Sequence, residues 1–262
     1  MSNKKVIFVG AGPGDPELIT LKGIKAIQNA DVVIYAGSLV PRKILEDHAK
    51  APPETWYNSA KMNLEEIISL IERSVSENKR VVRVHTGDPS IYGAIQEQIA
   101  ELEKRGIDVE IIPGVSSAFA AAAALKMEYT IPEQSQTVIL TRLAGKTPVP
   151  EREDLEALAA HGASMVIFLS AAMVEKVQEK LLKHYPPETW VAIAYRVSWP
   201  DEQLIRCQLR DLPDIMKSRG IKKQALIIIS PGLTDNQISP APHSRLYSKH
   251  FEHGERKSKG SK

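Results

Sequence analysis

Two turns in the first half of the chain carry the residues best suited to hold a reactive ligand. One of them, Thr86-Gly87-Asp88-Pro89, follows an apolar run that begins at Val81. Such a run predicts a buried strand, and ligands of open α/β sheets bind just beyond the carboxyl ends of strands. Asp88 therefore has two interpretations. Its carboxylate organises a ligand site, or it caps the helix expected over about residues 92–105.

The other turn, residues 10–16, is rich in glycine and follows the first predicted strand. A dinucleotide-binding turn needs a third glycine three positions after its second, where the phosphates meet a helix N-terminus. Asp15 occupies that position, and Pro13 removes a backbone N–H from the loop. No Gly-Lys-Ser/Thr follows, which excludes a P-loop. These departures argue against a dinucleotide and favour two other interpretations: a tight turn without a ligand, or a loop that faces a different kind of ligand.

The rest of the sequence offers little for covalent or metal chemistry. It contains no Ser/His/Asp order, no His/Cys cluster with metal-ligand spacing and no paired catalytic carboxylates. Cys207 is the only cysteine, so an intrachain disulfide is impossible, and we expect its thiol to fill the core beside a strand. We expect no protein-bound metal.

The elements that must position these turns alternate between strand and helix. We predict strands over residues 6–9, 31–35, 81–85 and 109–112, and helices over residues 20–30, 64–75, 92–105 and 117–125. This alternation predicts an α/β fold whose N-terminal sheet is mostly parallel and covered by helices on both faces.

The pattern changes near Thr130. We predict strands over residues 136–142, 165–169, 190–195, 203–208 and 224–229, and helices over residues 153–160, 173–182 and 212–217. No helix separates the strands on either side of Trp199, so the second sheet is predicted to be mixed. We therefore expect an N-terminal α/β domain over residues 1–130 and a C-terminal α/β domain over residues 131–235. The remainder, residues 236–262, is expected to be a disordered basic tail.

The composition is typical of a soluble globular protein, with 43% hydrophobic and 25% charged residues. The net charge is only +2, and its basic excess lies in the tail, so the body is not built to bind nucleic acid. The apolar runs are too short for a signal peptide or a membrane span. We expect a cytoplasmic protein that binds neither nucleic acid nor a membrane.

Four motifs in this order resemble the tetrapyrrole methylase family. They are residues 9–16 (VGAGPGDP), 31–35 (DVVIY), 86–93 (TGDPSIYG) and 113–117 (PGVSS), and the resemblance extends over about residues 4–232. It implies a two-domain α/β enzyme, usually a homodimer, with its active site in the cleft between the domains. The implied methyl donor is S-adenosylmethionine.

Within the family, the resemblance is closest to enzymes that methylate C11 of precorrin-4, or its cobalt form, in cobalamin biosynthesis. It is carried by residues 84–95 (VHTGDPSIYGAI), 130–132 (TIP), 136–142 with 147–150, and 198–202 (SWPDE). Relatives that methylate uroporphyrinogen have a second glycine where Thr86 stands, which argues against that step. Three alternatives remain: methylation at C17 or C20, a nicotinamide-dependent reductase, and a non-catalytic protein that binds through its tail.

The resemblance also implies which residues contact the methyl donor: Pro13, Thr86, Gly87, Asp88, Ile91, Ser116, Ser117, Leu169, Val197 and Ala225. Methyl transfer from a sulfonium is an in-line displacement that needs no nucleophile or metal from the enzyme. Holding the reactants in line contributes about 7–11 kcal/mol. We therefore assign no catalytic residue, and we expect Asp88 to organise the site through hydrogen bonds rather than to act as a general base.

A polycarboxylate tetrapyrrole substrate needs cations or N–H donors around it. By the resemblance, the glycine-rich loop faces this substrate, and the candidate substrate-binding residues are Gly12, Gly14, Asp15, Tyr35, Met62, His85 and Arg142. Structural interpretations stay open beside these. A solvated surface charge is the favoured interpretation of Arg142 taken alone. His85 is equally interpreted as a core histidine, and the Tyr35 and Met62 side chains as packing.

Overall fold

The computed structural model describes residues 4–235, and the expected basic tail lies outside the described residues. The strands are β1 (Lys5–Gly10), β2 (Val32–Tyr35), β3 (Trp56–Asn58), β4 (Val81–His85), β5 (Asp108–Ile112), β6 (Val138–Arg142), β7 (Ser164–Phe168), β8 (Trp190–Tyr195), β9 (Gln203–Gln208) and β10 (Ala225–Ile229). The α-helices are α1 (Leu21–Asn29), α2 (Arg42–His48), α3 (Leu64–Ser76), α4 (Ile95–Glu103), α5 (Ser117–Leu125), α6 (Leu155–Ala159), α7 (Val174–Leu181) and α8 (Leu212–Ser218).

The described chain divides into two compact units. One contains residues 4–120 together with Val197–Pro200, and the other contains Ala121–Arg196 together with residues 201–235. The domain boundary expected at residue 130 stays a prediction about where an independently folding domain would end.

The sheet of the first unit is entirely parallel, with the strand order β3-β2-β4-β1-β5. Its two faces bury separate apolar clusters. Val9, Val33 and Val84 pack with residues of α1 and α2, whereas Phe8 and Ile34 pack with residues of α3 and α4. The predicted parallel sheet with helices on both faces is confirmed.

Local sequence explains where the helices of this unit begin. The Thr20 hydroxyl caps α1 by accepting from the backbone N–H of Gly23 at 3.1 Å. At α3, Asn63 and Glu66 form a reciprocal capping box, with distances of 2.8 and 2.9 Å. These side chains satisfy N–H groups that the first helical turn leaves free.

The sequence missed two elements and misplaced a third. Helix α2 and the edge strand β3 were not predicted, because both are short and neither has a sustained apolar period. Helix α4 begins at Ile95 rather than near residue 92. The reason is that Tyr92 and Ala94 have φ values of 55° and 49°, in the left-handed region, which cannot belong to a right-handed helix.

The sheet of the second unit has the order β6-β7-β10-β8-β9. Only β6 and β7 are parallel, and the other neighbouring pairs are antiparallel, so the predicted mixed sheet is confirmed. One apolar cluster joins this sheet to α6, α7 and α8, and it includes the buried Cys207 of β9, as predicted. Within residues 4–235, no helix is both long enough and apolar enough to cross a bilayer.

Candidate functional site

Three glycine-bearing turns meet at the carboxyl edge of the parallel sheet. They follow β1, β4 and β5, and they meet at Gly10, which ends β1, and at Gly87 and Gly114. A Cβ on Gly114 would lie 2.2 Å from the carbonyl oxygen of Gly87, and one on Gly10 would lie 2.6 Å from the same atom. Since side chains do not fit at these contacts, the three turns touch directly through their backbones.

Backbone hydrogen bonds join the turns after β1 and β4. The N–H of Gly87 donates to the carbonyl of Gly12 at 2.7 Å, and the N–H of Gly12 donates back at 3.2 Å. Both glycines have positive φ, 58° and 80°, so other residues would be strained there. Two sequence motifs 75 positions apart, counted between these glycines, therefore form one structural feature.

Asp88 ties the turn after β4 to the turn after β5. Its Oδ1 accepts hydrogen bonds from the backbone N–H and the hydroxyl of Ser90, and its Oδ2 accepts from the backbone N–H of Gly114 at 2.9 Å. Helix α4 begins after Ala94 without a side-chain cap. Asp88 is therefore not the cap of that helix and instead organises the turns.

The same contacts keep Asp88 ionised. Partial burial alone would raise the pKa of its carboxyl, but the Ser90 hydroxyl and the N–H groups of Gly114 and Ser90 outweigh burial and lower the pKa. A folded-state pKa below the ordinary value means that this carboxylate stabilises the protein at neutral pH. That contribution is lost as the pH falls through the lowered pKa. A base that holds its proton this weakly is poorly suited to proton abstraction at neutral pH.

A buried arginine supports the segment that leads into α4 through a chain of hydrogen bonds. Arg83 is 5% exposed, and its Nε donates to the side-chain oxygen of Gln98 at 3.4 Å. Gln98 in turn donates to the carbonyl of Ala94 at 3.0 Å. Burial lowers the pKa of Arg83 to about 10, which still leaves the guanidinium charged at neutral pH.

His85 lies beside this arginine and is 4% exposed. Burial, with a smaller contribution from the Arg83 charge, lowers the pKa of His85 to about 3, so its ring is neutral. Its Nε2 finds no hydrogen-bond partner among the described residues, and the ring lies 5.3 Å from that of Phe8. These features describe a histidine of the sheet core. Contact with a substrate stays a prediction.

Ser116 and Ser117 lie beside Gly87. A Cβ built on Gly87 would lie 3.7 Å from the Cα of Ser116 and 3.9 Å from the backbone nitrogen of Ser117. These are ordinary van der Waals distances, in contrast to the steric overlaps at Gly10 and Gly114. An ionised carboxylate at this turn fits a cationic ligand such as a sulfonium. It opposes the pyrophosphate of a dinucleotide.

The glycine-rich loop after β1 is held by a segment from far along the chain. The indole Nε1 of Trp199 donates to the carbonyl of Pro13 at 2.9 Å, and the hydroxyl of Ser198 accepts from the backbone N–H of Asp15 at 3.0 Å. The Asp15 carboxylate caps the short helix Pro16–Leu18 by accepting from Glu17. Val197 is 4% exposed. Like Ile91, it is expected to contact the methyl donor.

The two other candidate substrate-binding residues of this unit pack with the apolar clusters of the sheet. Tyr35, at the end of β2, is 9% exposed and belongs to the apolar cluster under α1 and α2. Met62 is half-buried and packs against the cluster under α3 and α4. Their contact with a substrate stays a prediction.

In the second unit, three predicted residues gather at one edge of the mixed sheet. Arg142 ends β6 and Leu169 follows β7, while Ala225 begins β10, which runs antiparallel to β7. Leu169 is 64% exposed with a φ of 52°, and Arg196 and Gln224 at the same edge have φ values of 47° and 55°. Strained backbone of this kind concentrates at functional sites.

Arg142 uses its guanidinium within its own loop. It donates to the carbonyls of Leu143, Thr147 and Pro148 at 3.3, 3.2 and 2.8 Å. These bonds define a loop-organising arginine, and its contact with a substrate stays a prediction. In the described part of the chain, no group of three or more His, Cys, Asp or Glu side chains is placed to hold a metal ion.

Sequence reasoning did not identify Gly10, Gly114 and Trp199 as parts of this site. Gly114 was part of a recognised motif, but its contact with Gly87 depends on the strand order β4-β1-β5, which spacing does not reveal. Trp199 lies in the SWPDE motif. Its distance from Pro13 along the chain gave no signal that the two residues touch.

Comparison with known proteins shows what this arrangement is similar to. Residues 5–213 match the family model described as Tetrapyrrole (Corrin/Porphyrin) Methylases. A cobalt-precorrin-4 C(11)-methyltransferase of Methanocaldococcus jannaschii is 57% identical over 258 residues, which cover 98% of each protein.

Solved structures agree in fold. The X-ray structure of a cobalt-precorrin-4 methyltransferase superposes with a TM-score of 0.83 at 47% identity, covering 87% of this chain and 95% of that one. A uroporphyrin-III C-methyltransferase of Thermus thermophilus, solved with S-adenosylhomocysteine, superposes with a TM-score of 0.73 at 24% identity, covering 89% of this chain and 97% of that one. The motifs, the two sheets, the family match and the near-complete similarity agree, and this chain belongs to the tetrapyrrole methylase family.

Proposed function

We propose that this protein transfers a methyl group from S-adenosylmethionine to C11 of precorrin-4 or cobalt-precorrin-4. The product is the corresponding precorrin-5 of corrin-ring biosynthesis. The structural observation that carries the proposal is the main-chain edge formed by the three glycine turns and fixed by the ionised Asp88. The similarity of the whole chain to C11-methyltransferases supports the choice of ring position.

The residues proposed to hold the methyl donor in the first unit are Pro13, Thr86, Gly87, Asp88, Ile91, Ser116, Ser117 and Val197. In the second unit they are Leu169 and Ala225. When bound, the donor supplies a methyl group already activated by its sulfonium. The chain then has to hold and orient the two reactants, which is work that backbone donors and shape perform. Asp88 contributes a fixed negative charge and rigid turns, and it accepts no proton in this scheme.

The tetrapyrrole is proposed to lie against the glycine-rich loop. Gly12, Gly14 and Asp15 form this loop, and Tyr35, Met62, His85 and Arg142 are the further candidates. In this structure Gly12 and Gly14 are buried, and Asp15 is partly exposed. We also propose a cytoplasmic homodimer in which residues 236–262 have no role in catalysis. Sedimentation equilibrium of the full chain, with a dimer mass expected, tests the assembly.

Replacing Asp88 tests the donor site. Asp88→Asn keeps the shape, but one carboxylate oxygen becomes an NH₂ that faces an N–H of Gly114 or Ser90. The turns should separate, and the affinity for S-adenosylhomocysteine should fall at least about tenfold, or about 1.4 kcal/mol. Isothermal titration calorimetry measures this, and Asp88→Ala should weaken binding at least as much.

The control is Asp47→Asn, which removes an exposed carboxylate that pairs with Lys43 on α2 at 3.0 Å. It should bind S-adenosylhomocysteine as the unmodified protein does. Thermal melting of the Asp88 variants should show a folded protein. Unchanged affinity in Asp88→Asn would place the donor elsewhere. Quenching of reduced nicotinamide dinucleotide fluorescence, without binding of S-adenosylhomocysteine, would favour the reductase alternative.

A further inference from the structure

The segment Val197–Pro200 packs with the first compact unit, although the chain on both sides of it belongs to the second unit. We call these four residues the strap. The φ values of Arg196 and Ser198, 47° and 66°, lie in the left-handed region on either side of the buried Val197. Two strained residues flanking one buried residue indicate that contacts of the strap hold it in place.

Two hydrogen bonds join the strap to the glycine-rich loop. The Trp199 indole donates to the carbonyl of Pro13, and the Ser198 hydroxyl accepts from the N–H of Asp15. Between these two bonds lies Gly14, where a Cβ would come within 2.3 Å of the indole Cδ1 and Nε1. The indole therefore occupies the space that any other residue at position 14 would need.

The other end of the loop is held independently. Gly12 is bonded to Gly87, and Ala11 donates to the carbonyl of His85 at 2.8 Å. The loop is thus fixed at its start by the sheet and at its end by the strap. The hydrogen bonds described for residues 13–15 that do not involve the strap join Asp15 only to its near neighbours Glu17 and Leu18, at 2.9 and 3.1 Å.

We propose that Trp199 is a positioning residue for the tetrapyrrole, acting through the glycine-rich loop, and that Gly14 is glycine because the indole covers it. This inference rests on the proposed function, in which the loop faces the substrate. Of the proposed contacts with the methyl donor, Pro13 lies in the loop and Val197 in the strap, but those in the turn after β4 have their own bonds from Asp88. The strap should therefore affect substrate binding more than binding of the methyl donor.

A double-mutant cycle tests the proposal. Trp199→Ala removes the strap contact, and Gly14→Ala expels the indole by steric overlap, so both variants lose the same interaction. Each should raise KM for cobalt-precorrin-4 about tenfold, with less than about a threefold change in affinity for S-adenosylhomocysteine. The double variant should resemble either single variant, because the interaction can be lost only once.

The matched control is Trp56→Ala. Its indole Nε1 also donates to a backbone carbonyl, that of Ala51, at 2.9 Å. Trp56→Ala and Trp56→Phe should leave KM for the tetrapyrrole unchanged. Trp199→Phe, which keeps a ring over Gly14 but loses the N–H, should raise KM by a smaller factor than Trp199→Ala.

Amide hydrogen exchange gives a readout that does not depend on turnover. The N–H of Asp15 should exchange at least about tenfold faster in Trp199→Ala and Gly14→Ala than in Trp56→Ala. Unchanged exchange, or KM effects that multiply in the double variant, would overturn the proposal. If the unmodified protein methylates no tetrapyrrole while the exchange result holds, the strap stands and the proposed function fails.

Discussion

The hydrogen-bond partners of individual residues show which side chains have a structural role and which are free for chemistry. Asp88 lies where a catalytic base could stand, yet one of its oxygens accepts from Ser90 in its own turn and the other from Gly114 in the turn after β5. Arg142 likewise uses its guanidinium on carbonyls of its own loop. Asp88 and Arg142 therefore hold backbone segments in place through hydrogen bonds. This agrees with a reaction whose methyl donor is already activated.

His85 yields a prediction about pH and stability at this scale. Its pKa falls from 6.5 to about 3 on folding, so between these values the unfolded chain binds an extra proton. As the pH decreases from about 7.5 to about 5, this residue should remove about 2 kcal/mol from the free energy of unfolding. His85→Phe keeps a ring against Phe8 and removes the titrating group.

Urea unfolding of both proteins at these two pH values checks this prediction. The stability of His85→Phe should decrease less at the lower pH, by about 2 kcal/mol, and the two proteins should respond alike above neutrality. An equal loss in both proteins would show that His85 does not titrate as a buried group.

At the scale of elements, the segment between β4 and α4 is the least regular part of the parallel sheet's edge. Tyr92 and Ala94 have left-handed backbone, and a Cβ on Gly93 would lie 2.1 Å from the carbonyl oxygen of Pro89. Gln98 donates a hydrogen bond to the carbonyl of Ala94 in this segment and accepts one from the buried Arg83. A regular helix from residue 92 would have removed the turn that carries Asp88.

Gly93→Ala should therefore disrupt this segment. The backbone oxygen of Pro89 cannot rotate away as a side chain would, so the turn must move, and affinity for S-adenosylhomocysteine should fall at least about tenfold. Gly106→Ala is the matched control, because Gly106 has a φ of 66° but no atom within 4 Å of a Cβ. It should lose about 1 kcal/mol of stability to backbone strain without weakening binding.

Calorimetric titration and thermal melting of the two glycine variants give both quantities. Equal affinities in Gly93→Ala and Gly106→Ala would contradict the role assigned to the segment.

For the whole molecule, apolar periodicity sufficed to predict two sheets of the correct kinds. Val81–His85 and Ala225–Ile229 are continuous buried strands, and the absence of a helix around Trp199 correctly predicted a mixed second sheet. Short elements such as β3 were not predicted, because three residues are too few to show a hydrophobic period. The contacts of Gly114 with Gly87 and of Trp199 with Pro13 were not predicted. They depend on the order of the strands and on a distant segment packing against the first turn, and no local sequence pattern encodes either.

The position of methyl transfer tests the central claim most directly. The purified protein would be incubated with cobalt-precorrin-4 and S-adenosylmethionine carrying ¹³C in its methyl group, and the product would be mapped by NMR. We expect a single new labelled methyl group on C11. A label at C17, at C20 or at any other position, or no transfer at all, would contradict it.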